Sequence, residues 1–253
     1  MTPSETGTDR LSAVGPFARS LDRDNLVLRA ISAFRNAVGP VPPLSITLHK
    51  AIPVAAGLGG GSADAAAILR LLAGEHGLAA MAPPVQAIAA ALGADIPVCL
   101  DSRCRYMRGT GVTLDPEEPA FPRYPALLVN PGVAVPTGAV FGALAPGQKA
   151  VRDASAPPGL SEEILAGRND LEAPAVSVAP EIGPVLTALS DLPGAIGARL
   201  SGSGATCFVL FESDAERDKA AEHFRHAHPA CWSHAGELKN WDDSSLRGFS
   251  LQA

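Results

Sequence analysis

Pro53-Val54-Ala55-Ala56-Gly57-Leu58-Gly59-Gly60-Gly61-Ser62-Ala63-Asp64 places four glycines within five positions. Upstream, Leu44-Ser45-Ile46-Thr47-Leu48 alternates apolar and polar residues, the period of a half-buried strand. Downstream, Ala65, Ile68, Leu69 and Leu72 share one helical face, and Ser62 is the expected N-cap. The stretch therefore reads as strand, glycine-rich turn, helix. The first amides of a helix lack internal partners and carry partial positive charge, so they bind anions. Glycine lets the backbone approach such an anion closely, because no Cβ intervenes. Two common templates do not fit. Walker A requires a lysine where none stands, and G-x-G-x-x-G begun at Gly57 would need glycine in place of Ser62. A flexible turn with a helix cap is the plain alternative. The position of the glycines, between strand and helix, favours a polyphosphate site.

The 253 residues suffice for one large domain or two of about 100–150 residues each. With 47% hydrophobic and 18% charged residues, a substantial core is expected. A net charge of −6 argues against nucleic acid or an anionic membrane as partner. Residues Met1 to Ser20 have no apolar signal core, and Leu78 to Leu100 is interrupted by Pro83, Pro84, Gln86 and Asp95. Cytoplasmic location is the expectation. Cys99, Cys104, Cys207 and Cys231 have neither metal-type spacing nor a disulfide framework, so reduced thiols are expected. His223, His226, His228 and His234 read as solvated residues rather than metal ligands.

Along the chain, Leu21 to Val38 reads as a helix capped by Asp24 or Asn25 and ended by Gly39-Pro40. Taken alone, Lys50 is an exposed lysine at a strand end. Val85, Ile88, Ala89 and Leu92 mark a helix stopped by Gly93, after which Asp95 reads as a turn residue between helix and strand. Arg103, Arg105 and Arg108 read as a solvated basic rim, with a phosphate contact as the alternative, and Asp115 to Pro125 is the best linker. Ala126 to Val129 is a short buried strand. Thr137 is a candidate helix cap, and Phe141 is either a core aromatic or a surface for stacking a base. Lys149 to Glu163 is loop-like, and Asn169-Asp170-Leu171-Glu172 reads as a helix cap before an apolar face. Ile182, Val185, Leu186 and Leu189 mark a further helix. Ser201-Gly202-Ser203-Gly204 is a turn before the apolar strand Cys207 to Phe211. Ser213-x-x-Glu216 is a capping box for a helix to His226, and Cys231 to Ala235 returns as a strand.

Three of these segments, in order, resemble the motifs of the GHMP kinases. They are Pro53-x-x-x-Gly57-Leu58-Gly59-Gly60-Gly61-Ser62, then Gly93-Ala94-Asp95-Ile96-Pro97, then Ala198 to Thr206. Gly15-Pro16-Phe17, Asp24-Asn25-Leu26-Val27, Pro136-Thr137-Gly138-Ala139-Val140-Phe141 and Asn169 to Ala175 are similar to further landmarks of one branch. The resemblance implies an α+β, two-domain fold. Its nucleotide-binding domain would span residues 1–120, incomplete at its start, and a ferredoxin-like substrate domain residues 121–253. It implies ATP and Mg2+ as cofactors. It further implies ATP-dependent phosphorylation of the 2-hydroxyl of 4-diphosphocytidyl-2-C-methyl-D-erythritol, in the non-mevalonate route to isoprenoid precursors. The partner is thus a small molecule carrying a diphosphocytidyl group. By the same resemblance, Asp95 polarises the acceptor hydroxyl, while Asn25, Lys50 and the loop residues Pro53, Val54, Ala55, Ala56, Gly57, Leu58, Gly59, Gly60, Gly61, Ser62 and Ala63 hold the nucleotide. Thr137, Phe141, Ser203 and Gly204 inherit roles at the substrate. No metal ligand is assigned. A GHMP kinase for another alcohol, such as mevalonate, homoserine or a sugar, and a non-catalytic nucleotide-binding remnant are the alternatives.

Two departures stand out. Val112 occupies a position where relatives carry glutamate. The family's Pro-Ala-Lys-x-Asn motif, whose lysine works beside the aspartate, does not occur, nor does the Gly-Tyr-His segment; the lysines are Lys50, Lys149, Lys219 and Lys239. With that cation missing, the expectation is little or no kinase activity from these 253 residues.

Overall fold

The computed structural model describes residues 1–4, 6–18, 25–111, 113–116, 121–144 and 167–240. The expected loop at Lys149 to Glu163, the residues 21–24 of the first expected helix and everything after Asn240 lie outside the described residues. Two compact units divide the chain. The first comprises Met1–Val54, Gly59–Glu118 and Asn240–Ala253, the second Ala55–Leu58 and Pro119–Lys239.

In the first unit, β1 (Thr2–Pro3), β2 (Arg10–Val14) and β3 (Leu44–His49) form a sheet in the order β1-β3-β2. β1 is antiparallel to β3 and β2 parallel to it. A parallel pair needs a crossover, and α1 (Leu26–Ala37) lies in the connection. Asn25 caps α1, its Oδ1 accepting from the Val27 amide at 2.9 Å. The buried face of α1 is Val27, Ala30, Ile31 and Phe34. These residues meet Leu44 and Ile46 of the sheet, the buried residues of α2 (Gly60–Glu75), Val85 and Ile88 of α3 (Pro83–Leu92), and Ile96 and Leu100 of α4 (Ile96–Asp101) in one core. Each large side chain so buried stabilises the unit by roughly 1.5–3 kcal/mol. Arg35 fastens the end of α1 to the start of β3. Its Nη2 donates to Asp9 Oδ1 at 2.7 Å and its Nε to the Val41 carbonyl at 2.9 Å, while Asp9 Oδ1 also accepts from the Leu44 amide at 2.8 Å. A hairpin of β4 (Met107–Arg108) and β5 (Thr113–Leu114) follows α4. The strand expected after Asp95 is therefore a helix, Pro97 taking one of its first positions where a missing N–H costs nothing.

In the second unit, β6 (Tyr124–Asn130), β7 (Gly197–Leu200), β8 (Cys207–Leu210) and β9 (Trp232–Leu238) pair antiparallel in the order β7-β8-β6-β9. Taken as first to fourth strands, this is the ferredoxin-like order, with α5 (Thr137–Gly142), α6 (Glu172–Val178) and α7 (Ile182–Ser190) before β7 and α8 (Asp214–Ala227) before β9. Ile182, Val185 and Leu189 of α7 and Ala220, Ala221 and Phe224 of α8 pack with Leu127, Val129 and Val209 in a second core. The capping box is present as expected: Ser213 Oγ accepts from the Glu216 amide at 3.2 Å, and Glu216 Oε2 from the Ser213 amide at 3.2 Å. Burial pushes the Cys207 thiol up to about 12. The other three cysteines are half-buried, and none of the four is in a disulfide. Among the described residues, no helix is long and apolar enough to cross a membrane.

Candidate active site

The glycine-rich turn is built differently from either end. β3 stops at His49, and Lys50 is buried rather than exposed: its Nζ donates to Asp64 Oδ2 at 2.7 Å. That ion pair joins the segment before the turn to the second turn of α2, across the glycines. The helix begins at Gly60, with Gly59 as N-cap in the left-handed region at φ 63°. Ser62, the expected cap, instead lies inside the first turn. Gly59 supersedes it because a residue without Cβ adopts this backbone at little cost. The Ala63 amide bonds back to the Gly59 carbonyl at 2.9 Å, so the amides of Gly60, Gly61 and Ser62 precede the first helical hydrogen bond. A Cβ placed on Gly59 or Gly60 would meet nothing within 4 Å beyond its chain neighbours and its own helix among the described residues. At Gly61, the same test finds only the Leu26 side chain, at 3.7 Å. The start of α1, with Asn25, thus lies beside the start of α2. Asn25 Oδ1 is committed to its own helix as a cap.

Gly57 answers to another constraint. At φ 74° its Cβ would stand 2.4 Å from the Ser201 carbonyl oxygen and 2.7 Å from that of Gly204. Ala55–Leu58 belongs by its contacts to the second unit, against the turn between β7 and β8. Ser201 Oγ donates to the Gly57 carbonyl at 2.9 Å, and the Thr206 amide donates to the Ala56 carbonyl at 3.1 Å. Within the turn, the Gly204 amide bonds the Ser201 carbonyl at 2.9 Å, and Ser201 and Thr206 close the hairpin through the Ser201 amide, also at 2.9 Å. Buried Asn130 donates to Thr206 Oγ1 at 2.9 Å. First and third motifs are therefore hydrogen-bonded to each other, a link spanning 144 positions in sequence.

Thr137 opens α5 as its first residue, the cap position falling to Pro136. Its hydroxyl lies 3.0 Å from Ser203 Oγ, which brings two of the expected substrate residues together. Phe141, on the same helix, is 55% exposed, so it is a surface aromatic and not part of the core. Gly204 is buried at φ 86° behind Leu200 and Ile182.

Asp95 stands at the N-cap position of α4 with its side chain exposed and uncommitted to the cap. The helix it begins is fixed to α2. Arg70 of α2 donates Nη1 to the Cys99 carbonyl at 2.6 Å, with Ser102 Oγ at 3.1 Å. Gly111 of the following hairpin lies so close to residue 94 that a Cβ there would stand 3.0 Å from the Ala94 carbonyl. Arg105 and Arg108 are not free cations: they pair with Asp101 and Asp115 respectively. Of the residues that fix this geometry, Asp64 and Ser201 stood in the quoted motifs without their partners, and Arg70 and Asn130 carried no signal in the sequence. Each acts through a partner distant in the chain, and no local spacing encodes the pairing.

The sequence matches the family model for the GHMP kinases N terminal domain over residues 25–103 and that for the GHMP kinases C terminal over residues 157–230. It is 46% identical over 241 residues to a 4-diphosphocytidyl-2-C-methyl-D-erythritol kinase of Rhizorhabdus wittichii, spanning 93% of this chain and 81% of that one. A relative of the same name from Methylorubrum extorquens is 49% identical over 221 residues, with 83% and 75% covered. Among solved structures, a 4-(cytidine 5'-diphospho)-2C-methyl-D-erythritol kinase is 34% identical with a TM-score of 0.70, over 92% of this chain and 84% of that one. Homoserine kinase from Cytophaga hutchinsonii, 23% identical with a TM-score of 0.66 over 94% and 84%, shares the fold.

Proposed function

The chain belongs to the GHMP kinases, and from that membership we propose that it transfers the γ-phosphoryl group of ATP to the 2-hydroxyl of 4-diphosphocytidyl-2-C-methyl-D-erythritol. The observation that carries this reading is the open first turn of α2, where a Cβ built on Gly59 or Gly60 meets nothing within 4 Å beyond its chain neighbours and its own helix among the described residues. A triphosphate fits such a cradle, since backbone donors and the helix dipole face it without a side chain in the way. The amides of Gly60, Gly61 and Ser62 hold phosphate oxygens, with Pro53 to Leu58 and Ala63 shaping the turn around them. Asn25 and Lys50 flank the nucleotide. In this account residues 1–120 bind ATP and residues 121–253 bind the acceptor.

Asp95 accepts the proton of the 2-hydroxyl as that oxygen bonds to the γ-phosphorus. The bond from phosphorus to the β,γ-bridging oxygen breaks, and ADP departs with its electron pair. Mg2+, when bound, neutralises charge on the phosphates; none of the chain's residues is assigned to it. Phe141 stacks on the cytosine face, and Thr137, Ser203 and Gly204 fix the diphosphate side of the acceptor.

The test is product formation by the purified chain with ATP, Mg2+ and the diphosphocytidyl alcohol, set against mevalonate, homoserine and a sugar. Phosphate monoester should appear only on the diphosphocytidyl substrate. Asp95→Asn should lower the rate about a hundredfold or more while leaving ATP affinity unchanged. Preference for another alcohol, or an undiminished rate in Asp95→Asn, would contradict the proposal.

A further inference from the structure

Asn169 precedes α6 and is committed at both ends of its carboxamide. Oδ1 accepts from the Leu171 amide at 3.0 Å, while Nδ2 donates to the Leu200 carbonyl at 3.1 Å and to the Gly202 carbonyl at 2.7 Å. This pattern fixes the orientation of the amide, since carbonyls require the nitrogen and a backbone N–H requires the oxygen. The two carbonyls gripped are those on either side of Ser201. Ser201 is the residue whose hydroxyl donates to Gly57, and whose carbonyl accepts from Gly204.

We infer that Asn169 is a positioning residue for the glycine-rich turn. It holds residues 200–202 so that Ser201 and Thr206 keep Gly57, left-handed at φ 74°, and Ala56 in the turn that leads into Gly59. Side-chain chemistry at this position is narrowly determined. Aspartate has the same shape but no donor, and would set a carboxylate against two carbonyl oxygens. Leucine would remove the donors and the acceptor together. The consequence for nucleotide affinity rests on the function proposed above, whereas the effect on the turn does not.

Two readouts separate these parts. In the ligand-free chain, amide hydrogen exchange at Thr206, the donor to Ala56, reports the junction itself. Asn169→Asp should speed that exchange on the order of tenfold, the scale expected for losing one or two hydrogen bonds. Exchange in the β6–β8 core should stay as in the parent. Acidification should narrow the difference, because a protonated aspartate regains one donor. Ser201→Ala should reproduce the effect, and the double variant should add little to either single change, as expected of residues acting through one path. An unchanged Thr206 exchange rate, or full additivity in the double variant, would overturn the inference.

Titration with a non-hydrolysable ATP analogue and Mg2+ then gives the functional part. Asn169→Asp should weaken binding on the order of tenfold with the melting temperature preserved. Parent-like affinity in a variant whose Thr206 exchange is accelerated would also overturn it. If the parent chain binds no nucleotide, the proposed function fails on that result, and the exchange data alone decide the role of Asn169.

Discussion

Gly57 and Gly59 sit two residues apart, both with positive φ, yet they serve opposite ends. Gly57 is required because a Cβ would collide with the Ser201 carbonyl at 2.4 Å, Gly59 because the cap is left-handed and faces open space. Gly57→Ala should therefore cost about 2 kcal/mol or more in chemical denaturation, strain adding to a clash with backbone that cannot rotate away. Lys50 and Asp64 make a second residue-scale case. Asp64→Asn leaves a buried ammonium facing only a neutral amide, and should lower unfolding stability by about 1–3 kcal/mol. Neither result was foreseeable from sequence. The glycines announce that a special turn is present. They do not say which one packs inward, and a lysine at a strand end reads as solvated until its partner in the next helix is placed.

Elements were more legible, because hydrophobic period and caps are local. The helix from Ile182 and the capping box at Ser213 both stand where apolar spacing and S-x-x-E place them. Ser213→Ala should cost about 1 kcal/mol of stability, measured by denaturant titration. Errors arose at junctions: Asp95 precedes a helix rather than a strand, and Ser62 and Thr137 lost their expected caps to Gly59 and Pro136. Backbone conformation decides those positions, and side-chain type only biases it. The tie between α1 and β3 also yields a pH effect. The hydrogen bond from Arg35, aided by the Leu44 amide, holds the Asp9 carboxyl below its usual range. A carboxylate with a depressed folded pKa stabilises above the unfolded value, near 3.9, and loses that contribution as pH falls through the lower folded value. Acidification below about pH 4 should destabilise the parent chain more than Asp9→Asn. Equal losses in the two proteins would remove Asp9 from the account.

At the scale of the whole chain, three motifs in order disclose the family, and the strand order β7-β8-β6-β9 agrees with the ferredoxin-like arrangement expected of it. What sequence order conceals is the membership of Ala55–Leu58. These residues precede the helix of the first unit by chain but belong to the second unit by contact, through Ser201 and Thr206. The central claim is that the amides opening α2 receive the phosphates of ATP. Equilibrium titration of Gly60→Val with a non-hydrolysable ATP analogue tests it most directly, since a Cβ there meets nothing within 4 Å beyond its own helix among the described residues. Binding should fall tenfold or more relative to the parent, with stability changed by no more than about 1 kcal/mol. Parent-like affinity in that variant would contradict the claim.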